Sequence, residues 1–177
     1  MYTSGSTGKP KGVVTTHRNI VKTSVNNGFI NVLTSDRMLQ LSNYAFDGST
    51  YEIYGALLNG ASLVLISRQQ LLNVQELAHI MHSHQITSCF MTAALFNTLV
   101  DWDVHSLQYI RKLFFGGEAA SKKHVARAFE VLGEHRLVNG YGPTETTVFA
   151  ATYSVDKRFL DYDTVPIGKP IHNTKAY

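Results

Sequence analysis

The sequence predicts an α/β domain: largely parallel sheets with flanking helices on both faces. Two observations carry this reading. Segments of strand character alternate with segments of helical spacing along the chain. The runs LVLI (63–66) and SCFM (88–91) lack the polar alternation of a half-solvated strand, as strands covered on both faces do.

Taken in order, GVVTTH (12–17) reads as a short strand, and RNIVKTSVNNG as a helix ending at Asn27-Gly28. RMLQLS (37–42) is strand-like. FDGSTYEIYGALLNG sets Tyr51, Tyr54, Leu57 and Leu58 at near-helical spacing, with Ser49 and Glu52 as a capping box and Asn59-Gly60 as the stop. ASLVLI (61–66) is a buried-type strand. NVQELAHIMHSHQ is a helix with Leu77, Ile80 and Met81 on one face. ITSCFM (86–91) is a strand, TAALFNTLV a helix, QYIRKLFFGG (108–117) a strand and SKKHVARAFEVLG a capped helix. RLVNGYG (136–142) and TVFAATYSV (147–155) close the regular part, and DKRFLDYDTVPIGKP (156–170) is loop-rich, expected to lead into a further subdomain. Ligands of such sheets bind beyond the carboxyl ends of the strands, so the loops at 3–11, 46–49, 116–119 and 139–145 are the candidate rim.

With 177 residues the chain can bury a sizeable core. Its net charge of +3 is spread over scattered basic residues, which gives no footprint for nucleic acid. One cysteine, Cys89, excludes a disulfide framework and points to a reducing, cytoplasmic setting. The apolar runs are too short to cross a membrane. His79, His82 and His84 lack an HExxH motif or cysteine partners and read as a solvated helix face; Cys89 reads as inert packing.

The opening MYTSGSTGKPKG combines glycines, small hydroxyls and lysines. Serial N–H groups and hydroxyls can wrap phosphate oxygens, and lysine adds countercharge. By composition alone it could equally be a flexible polar linker. The Walker pattern fails: Thr3 stands where its first glycine belongs, and Lys9 is followed by Pro10, which has no hydroxyl for Mg²⁺.

YTSGSTGKPKG instead resembles the phosphate loop of the adenylate-forming superfamily. LVNGYGPTETT (137–147), FFGGEA (114–119) and GKPI (168–171) resemble further elements of that family in the same order. The resemblance, closest to the adenylation domains of nonribosomal peptide synthetases, implies that 1–177 is an internal fragment of the AMP-binding core. It would belong to the large N-terminal subdomain, without the C-terminal lid domain, the ribose-binding aspartate or the catalytic lysine.

The implied chemistry is activation of a carboxylate by ATP with Mg²⁺. By resemblance Thr3, Ser4, Gly5, Ser6, Thr7, Gly8, Lys9 and Lys11 embrace the β- and γ-phosphates. Gly117, Glu118 and Ala119 line the base site, Asn139 bonds the adenine edge, Tyr141 stacks on it, and Gly142 adjoins them. Thr144 contacts the α-phosphate, Glu145 holds Mg²⁺, and Lys11 joins these two as the catalytic set. Read without the family, GYGPTET is a turn and helix start with Pro143 near its first position.

FDGS (46–49) resembles the F-D-x-S segment of amino-acid-activating domains, where Asp47 would pair with the substrate ammonium; on its own, Asp47 is as readily a helix N-cap. The implied side-chain pocket is Asp47, Gly48, Tyr51, Phe90, Phe114, Gly116, Gly140, Val148 and Phe149, with TAA (92–94) departing from the usual PPT-like residues. Four aromatics and Val148 make an apolar wall and the glycines leave room, which implies valine, isoleucine or leucine. The expected partners are that amino acid, a carrier domain bearing phosphopantetheine and a condensation domain. An acyl-CoA or aryl-acid ligase and a non-catalytic nucleotide-binding module stand as alternatives.

Overall fold

A computed structural model describes residues 1–3 and 9–176 of the chain. In chain order its elements are β1 (Tyr2–Thr3), β2 (Lys11–Gly12), α1 (His17–Ser24), β3 (Arg37–Gln40), α2 (Gly48–Leu57), β4 (Ser62–Leu65), α3 (Arg68–Leu72), α4 (Val74–Ser83), β5 (Ser88–Thr92), α5 (Ala93–Asp103), β6 (Lys112–Gly116), α6 (Lys122–Leu132), β7 (Leu137–Tyr141), β8 (Ala151–Ser154) and β9 (Lys169–Pro170). β1 and β2 form a separate antiparallel hairpin. The rest make one seven-stranded sheet in the order β4-β3-β5-β6-β7-β8-β9. From β4 to β7 all pairs are parallel, while β8 and β9 add antiparallel. The predicted α/β class with its largely parallel sheet is therefore what folds.

Strand side chains alternate between faces, and that sorts the core into two clusters. Leu39, Cys89, Met91, Leu113, Phe115 and Leu137 face α4, α5 and α6, where Leu77, Met81, Phe96, Leu99, Val125 and Ala128 meet them. Phe96 stacks on Phe115 with centroids 4.8 Å apart. On the opposite face Met38, Phe114 and Val138 pack with Tyr51, Ala56, Val148, Phe149 and Ile171. After β3 the chain runs outward to β4 and then returns to place β5 on the other side of β3. The strand order thus reverses between β3 and β5.

Several elements differ from the sequence reading, each for a local reason. Only Gly12 of the 12–17 stretch is in a strand. Val14 is exposed and unpaired, and Thr16 starts α1 through a capping box with Asn19. The helix ends at Ser24 rather than Asn27-Gly28. The Asn27 amide donates to the Thr23 carbonyl, and its Oδ1 accepts from the N–H groups of Phe29 and Ile30, turning the chain away. β4 is the sheet edge and not a buried strand, with Leu65 exposed. The short helix α3, which Ser67 and Gln70 open with a capping box, has no buried residue and so no apolar stripe to betray it. α6 starts at Ser121, but the Ser121 hydroxyl bonds His124 Nδ1 at 2.6 Å instead of capping the helix.

At the amino ends of the parallel strands a buried carboxylate ties three segments together. Asp36 accepts from the Leu33 N–H and the Thr87 hydroxyl at 2.7 Å, and pairs with the Arg111 guanidinium through Nε at 3.0 Å and through Nη2. Burial alone would raise the Asp36 pKa, but the Arg111, Leu33 and Thr87 hydrogen bonds outweigh it and hold the carboxyl below its usual value. Arg111→Met leaves that charge without its counterion. Urea unfolding should then show a loss of about 3 kcal/mol, the low end for breaking a buried pair, because Arg111 is itself partly exposed.

Candidate functional site

The 3–11 loop is closed at its base by the β1–β2 pair, Tyr2 opposite Gly12 and Thr3 opposite Lys11. Ser4, Gly5, Ser6, Thr7 and Gly8 lie outside the described residues. Of the rest, Thr3 is half-buried, and Lys9 and Lys11 are exposed. The hairpin base leans on the first turn of α2: the Thr50 hydroxyl lies 3.5 Å from Met1 Sδ. Asp47 immediately precedes that turn.

β6 and β7 end side by side at Gly116 and Gly140, where the chain opens into a cleft of about 610 Å³. Gly117, Glu118, Ala119, Asn139, Tyr141 and Gly142 all line it, so six residues assigned to the nucleotide by resemblance share one wall. Gly117 has φ of +85°, and a Cβ there would meet nothing within 4 Å: the backbone takes a left-handed turn that leaves its outer side open. Tyr141 is half exposed, as a stacking face must be. Asn139 is buried; its amide donates to the Pro166 carbonyl at 2.9 Å. That bond leaves Oδ1 and the second amide N–H for the expected adenine contact of Asn139. The far wall, Thr164, Val165 and Ile167, comes from the loop-rich 156–170 stretch, which had no periodicity to mark it as lining.

Pro143 leads from the cleft into a single 3-10 turn, Thr144–Thr146. Thr144 is half-buried and Glu145 exposed on that turn. Among the described residues no three histidine, cysteine or acidic side chains cluster as a metal cage. A lone carboxylate suits Mg²⁺, which takes one or two protein oxygens and completes its shell with phosphates and water. His79, His82 and His84 are all exposed, and His82 packs edge-on against Tyr109. No helix among the described residues is long and apolar enough to cross a membrane.

Of the residues assigned to the substrate, Tyr51, Phe114, Val148 and Phe149 pack in one buried cluster, with Phe90 against it. Asp47 stands at the N-cap of α2, yet its carboxylate caps nothing. The expected capping box is absent: the Ser49 hydroxyl donates to the Phe46 carbonyl at 2.7 Å. Glu52 instead reaches back to the segment just after β3, accepting from the N–H groups of Leu41 and Ser42 and from the Ser42 hydroxyl, each at 3.1 Å. Burial raises the Glu52 pKa to about 7 against the pull of those donors.

Tyr51 lies one helical turn after Asp47, wholly buried, its ring 5.3 Å from both Phe114 and Phe149. Phe90 meets Phe149 edge-on at 5.5 Å. Val148 is buried beside them. The glycines do give room, but to their neighbours. A Cβ at Gly140 would strike the Phe149 ring at 2.5 Å, one at Gly48 the Ser42 hydroxyl at 2.5 Å and the Phe90 ring at 2.9 Å, and one at Gly116 the Gly140 carbonyl. Phe29, from the turn after α1, adds a ring 5.6 Å from Phe149. Sequence reasoning missed it because a loop residue has no spacing to follow.

The model of the AMP-binding enzyme family matches residues 1–177. Bacitracin synthase 3 of Bacillus licheniformis is 48% identical over 176 residues, which is 99% of this chain and 3% of that protein. Tyrocidine synthase 3 of Brevibacillus parabrevis is 45% identical over 177 residues, all of this chain and again 3% of the relative. Among solved structures, holo-PA1221, a nonribosomal peptide synthetase protein containing adenylation and PCP domains and bound to a vinylsulfonamide inhibitor, superposes with a TM-score of 0.87 at 40% identity. That match covers 96% of this chain and 29% of that one. The N-terminal subdomain of NpsA from Klebsiella oxytoca, in complex with 3-hydroxybenzoyl-AMSN, superposes at 0.82 with 27% identity, covering 97% and 42%. The chain thus spans about 3% of the length of the curated relatives named.

Proposed function

The chain belongs to the AMP-binding enzyme family, and from that premise we propose that it is part of an amino-acid-activating adenylation domain. The observation that carries the amino-acid reading is Asp47: a half-buried residue at the start of α2 whose carboxylate has no capping duty, one helical turn before the buried Tyr51 and its aromatic cluster. An ammonium group is its natural counterpart, and a plain carboxylic acid would leave it unpaired at a cost.

One carboxylate oxygen of the amino acid attacks the α-phosphorus of ATP. The bond to the bridging oxygen breaks, and its electron pair leaves with pyrophosphate, giving the aminoacyl-adenylate. The attacking group is already ionised, so the protein's task is alignment of two anions and dispersal of charge. Tyr141 and the glycine-lined cleft orient the base, Asp47 orients the amino acid, Thr144 meets the α-phosphate, and Lys9 and Lys11 offset the leaving charge. Glu145 would hold Mg²⁺, whose charge would add to the neutralisation. The phosphopantetheine thiol of a carrier domain then attacks the acyl carbon and AMP leaves; a condensation domain uses the thioester. The setting is the reducing cytoplasm, consistent with the free Cys89, whose thiol burial pushes well up.

The close apolar packing of aromatic rings and Val148 around Gly140 favours a small apolar side chain: valine, isoleucine or leucine. Amino-acid-dependent ATP–pyrophosphate exchange by the full-length protein tests this. Exchange should be highest with the three aliphatics, which one methylene separates by about 10- to 200-fold at most. Exchange with aryl or fatty acids only would sink the reading in favour of an acyl or aryl-acid ligase. Residues 1–177 alone, without the lysine of the lid domain, should show no exchange.

A further inference from the structure

Thr147 and Val148 have φ of 64° and 66°. A left-handed backbone is costly for β-branched residues, and here two follow each other. Both are buried, and they link the Thr144–Thr146 turn to Phe149. Strain of this kind persists only where the surroundings over-determine it, and it concentrates at working sites.

The surroundings are the last turns of α1. Thr23 is wholly buried, and its hydroxyl donates to the Thr147 carbonyl at 2.9 Å. The Lys22 ammonium donates to the Thr146 carbonyl at 3.1 Å and to the Thr174 hydroxyl at 3.4 Å. On the cleft side, Gly142 makes room for the bend: a Cβ there would lie 2.5 Å from the Val148 carbonyl. α1 is also the helix that directly follows the phosphate hairpin. One element therefore leads out of the loop assigned to the β- and γ-phosphates and grips the strained segment beside Thr144, Glu145, Val148 and Phe149.

We propose that Lys22 and Thr23 are positioning residues for adenylation: they hold the 146–148 backbone in its strained form and so set the α-phosphate and Mg²⁺ groups on one side and the substrate wall on the other. The inference rests on the function proposed above. Neither side chain needs to touch a substrate.

The test is pyrophosphate exchange and thermal unfolding of the full-length protein carrying Thr23→Val, Thr23→Ser, Lys22→Met or Thr147→Gly. Thr23→Val keeps the shape and deletes the hydroxyl; kcat should fall about tenfold with the KM values for ATP and amino acid within about twofold. Thr23→Ser, which keeps the donor, should restore the rate, and Lys22→Met should slow it in the same kcat-only manner. Thr147→Gly removes the steric cost of the left-handed backbone, so the thermal midpoint should hold or rise while kcat falls. A purely structural role would not slow a variant that is no less stable. Wild-type kcat in Thr147→Gly and Lys22→Met, or a Thr23→Ser variant as slow as Thr23→Val, overturns the proposal; should Thr23→Val not fold, Thr147→Gly and Lys22→Met decide it. An unsubstituted protein that exchanges with no amino acid overturns the functional reading itself and this inference with it, a result recognisable because the wild type is silent.

Discussion

Asp47→Ala should lower kcat/KM for the amino acid by roughly two orders of magnitude, equivalent to about 3 kcal/mol for a lost charge-assisted hydrogen bond to an ammonium. The protein should stay folded. Asp47 takes no hydrogen bond from the α2 backbone, so truncation removes no cap. What it does remove is a negative charge at a helix start, about 0.3–1 kcal/mol of dipole interaction. Activity and stability should therefore separate widely in this one variant, as they would not for an ordinary N-cap aspartate, whose replacement costs about 1 kcal/mol of stability and leaves catalysis alone. Exchange assays and thermal unfolding on the same sample decide it. A plain acid of matching shape, such as the des-amino analogue of the preferred substrate, should gain on the native substrate in the variant, because the unpaired carboxylate that penalised it is gone. Equal losses for both acids would place Asp47 outside the ammonium site.

The contrast between Asp47 and Ser49 shows which parts of the site sequence could reveal. The Ser49–Glu52 spacing matches a capping box, yet Glu52 bonds the backbone just after β3 instead. The pattern is local, whereas the better donors come from the chain after β3, ten or eleven residues away. The helix α4, with Leu77, Ile80 and Met81 buried as its spacing requires, was legible because an amphipathic stripe and its burial are one fact seen twice. The run at 61–66 misled for the opposite reason: apolar content says that a strand is covered, not whether it has a neighbour on each side, and β4 has only β3. The wall of the cleft beyond β6 and β7 was legible at Gly117, Asn139 and Tyr141, which stand in compact motifs at strand ends. It was hidden at Thr164, Val165 and Ile167, which reach the cleft only by tertiary folding of an irregular stretch. The hold of Thr23 on Thr147 spans 124 positions and joins a helix to a loop, so no spacing rule could expose it.

Glu52 carries the second large effect, on stability and its pH dependence. Its carboxylate is fully buried, and burial lifts its pKa from 4.5 to about 7, while the Leu41 and Ser42 N–H groups, the Ser42 hydroxyl and the Gln40 amide pull the other way without prevailing. The folded state therefore binds this proton more tightly than the unfolded chain does. The resulting stabilisation is fully present below pH 4.5 and is lost as pH rises through about 7. A shift of that size corresponds to about 3 kcal/mol across the window. Urea unfolding of the full-length protein from pH 4 to 8 should show Glu52→Gln, which cannot titrate, losing this slope relative to wild type while keeping an acceptor for the Leu41 amide. Glu52→Ala removes the slope and the acceptors together. It leaves two backbone N–H groups buried without partners, at about 1–3 kcal/mol each, and should be the more damaging change at every pH. Because those groups fix the turn that leads from β3 into Asp47, the alanine variant should also raise the KM for the amino acid more than that for ATP. Parallel pH profiles for wild type and Glu52→Gln would mean that the carboxylate titrates alike in folded and unfolded protein, and that the four donors, not burial, set its proton affinity.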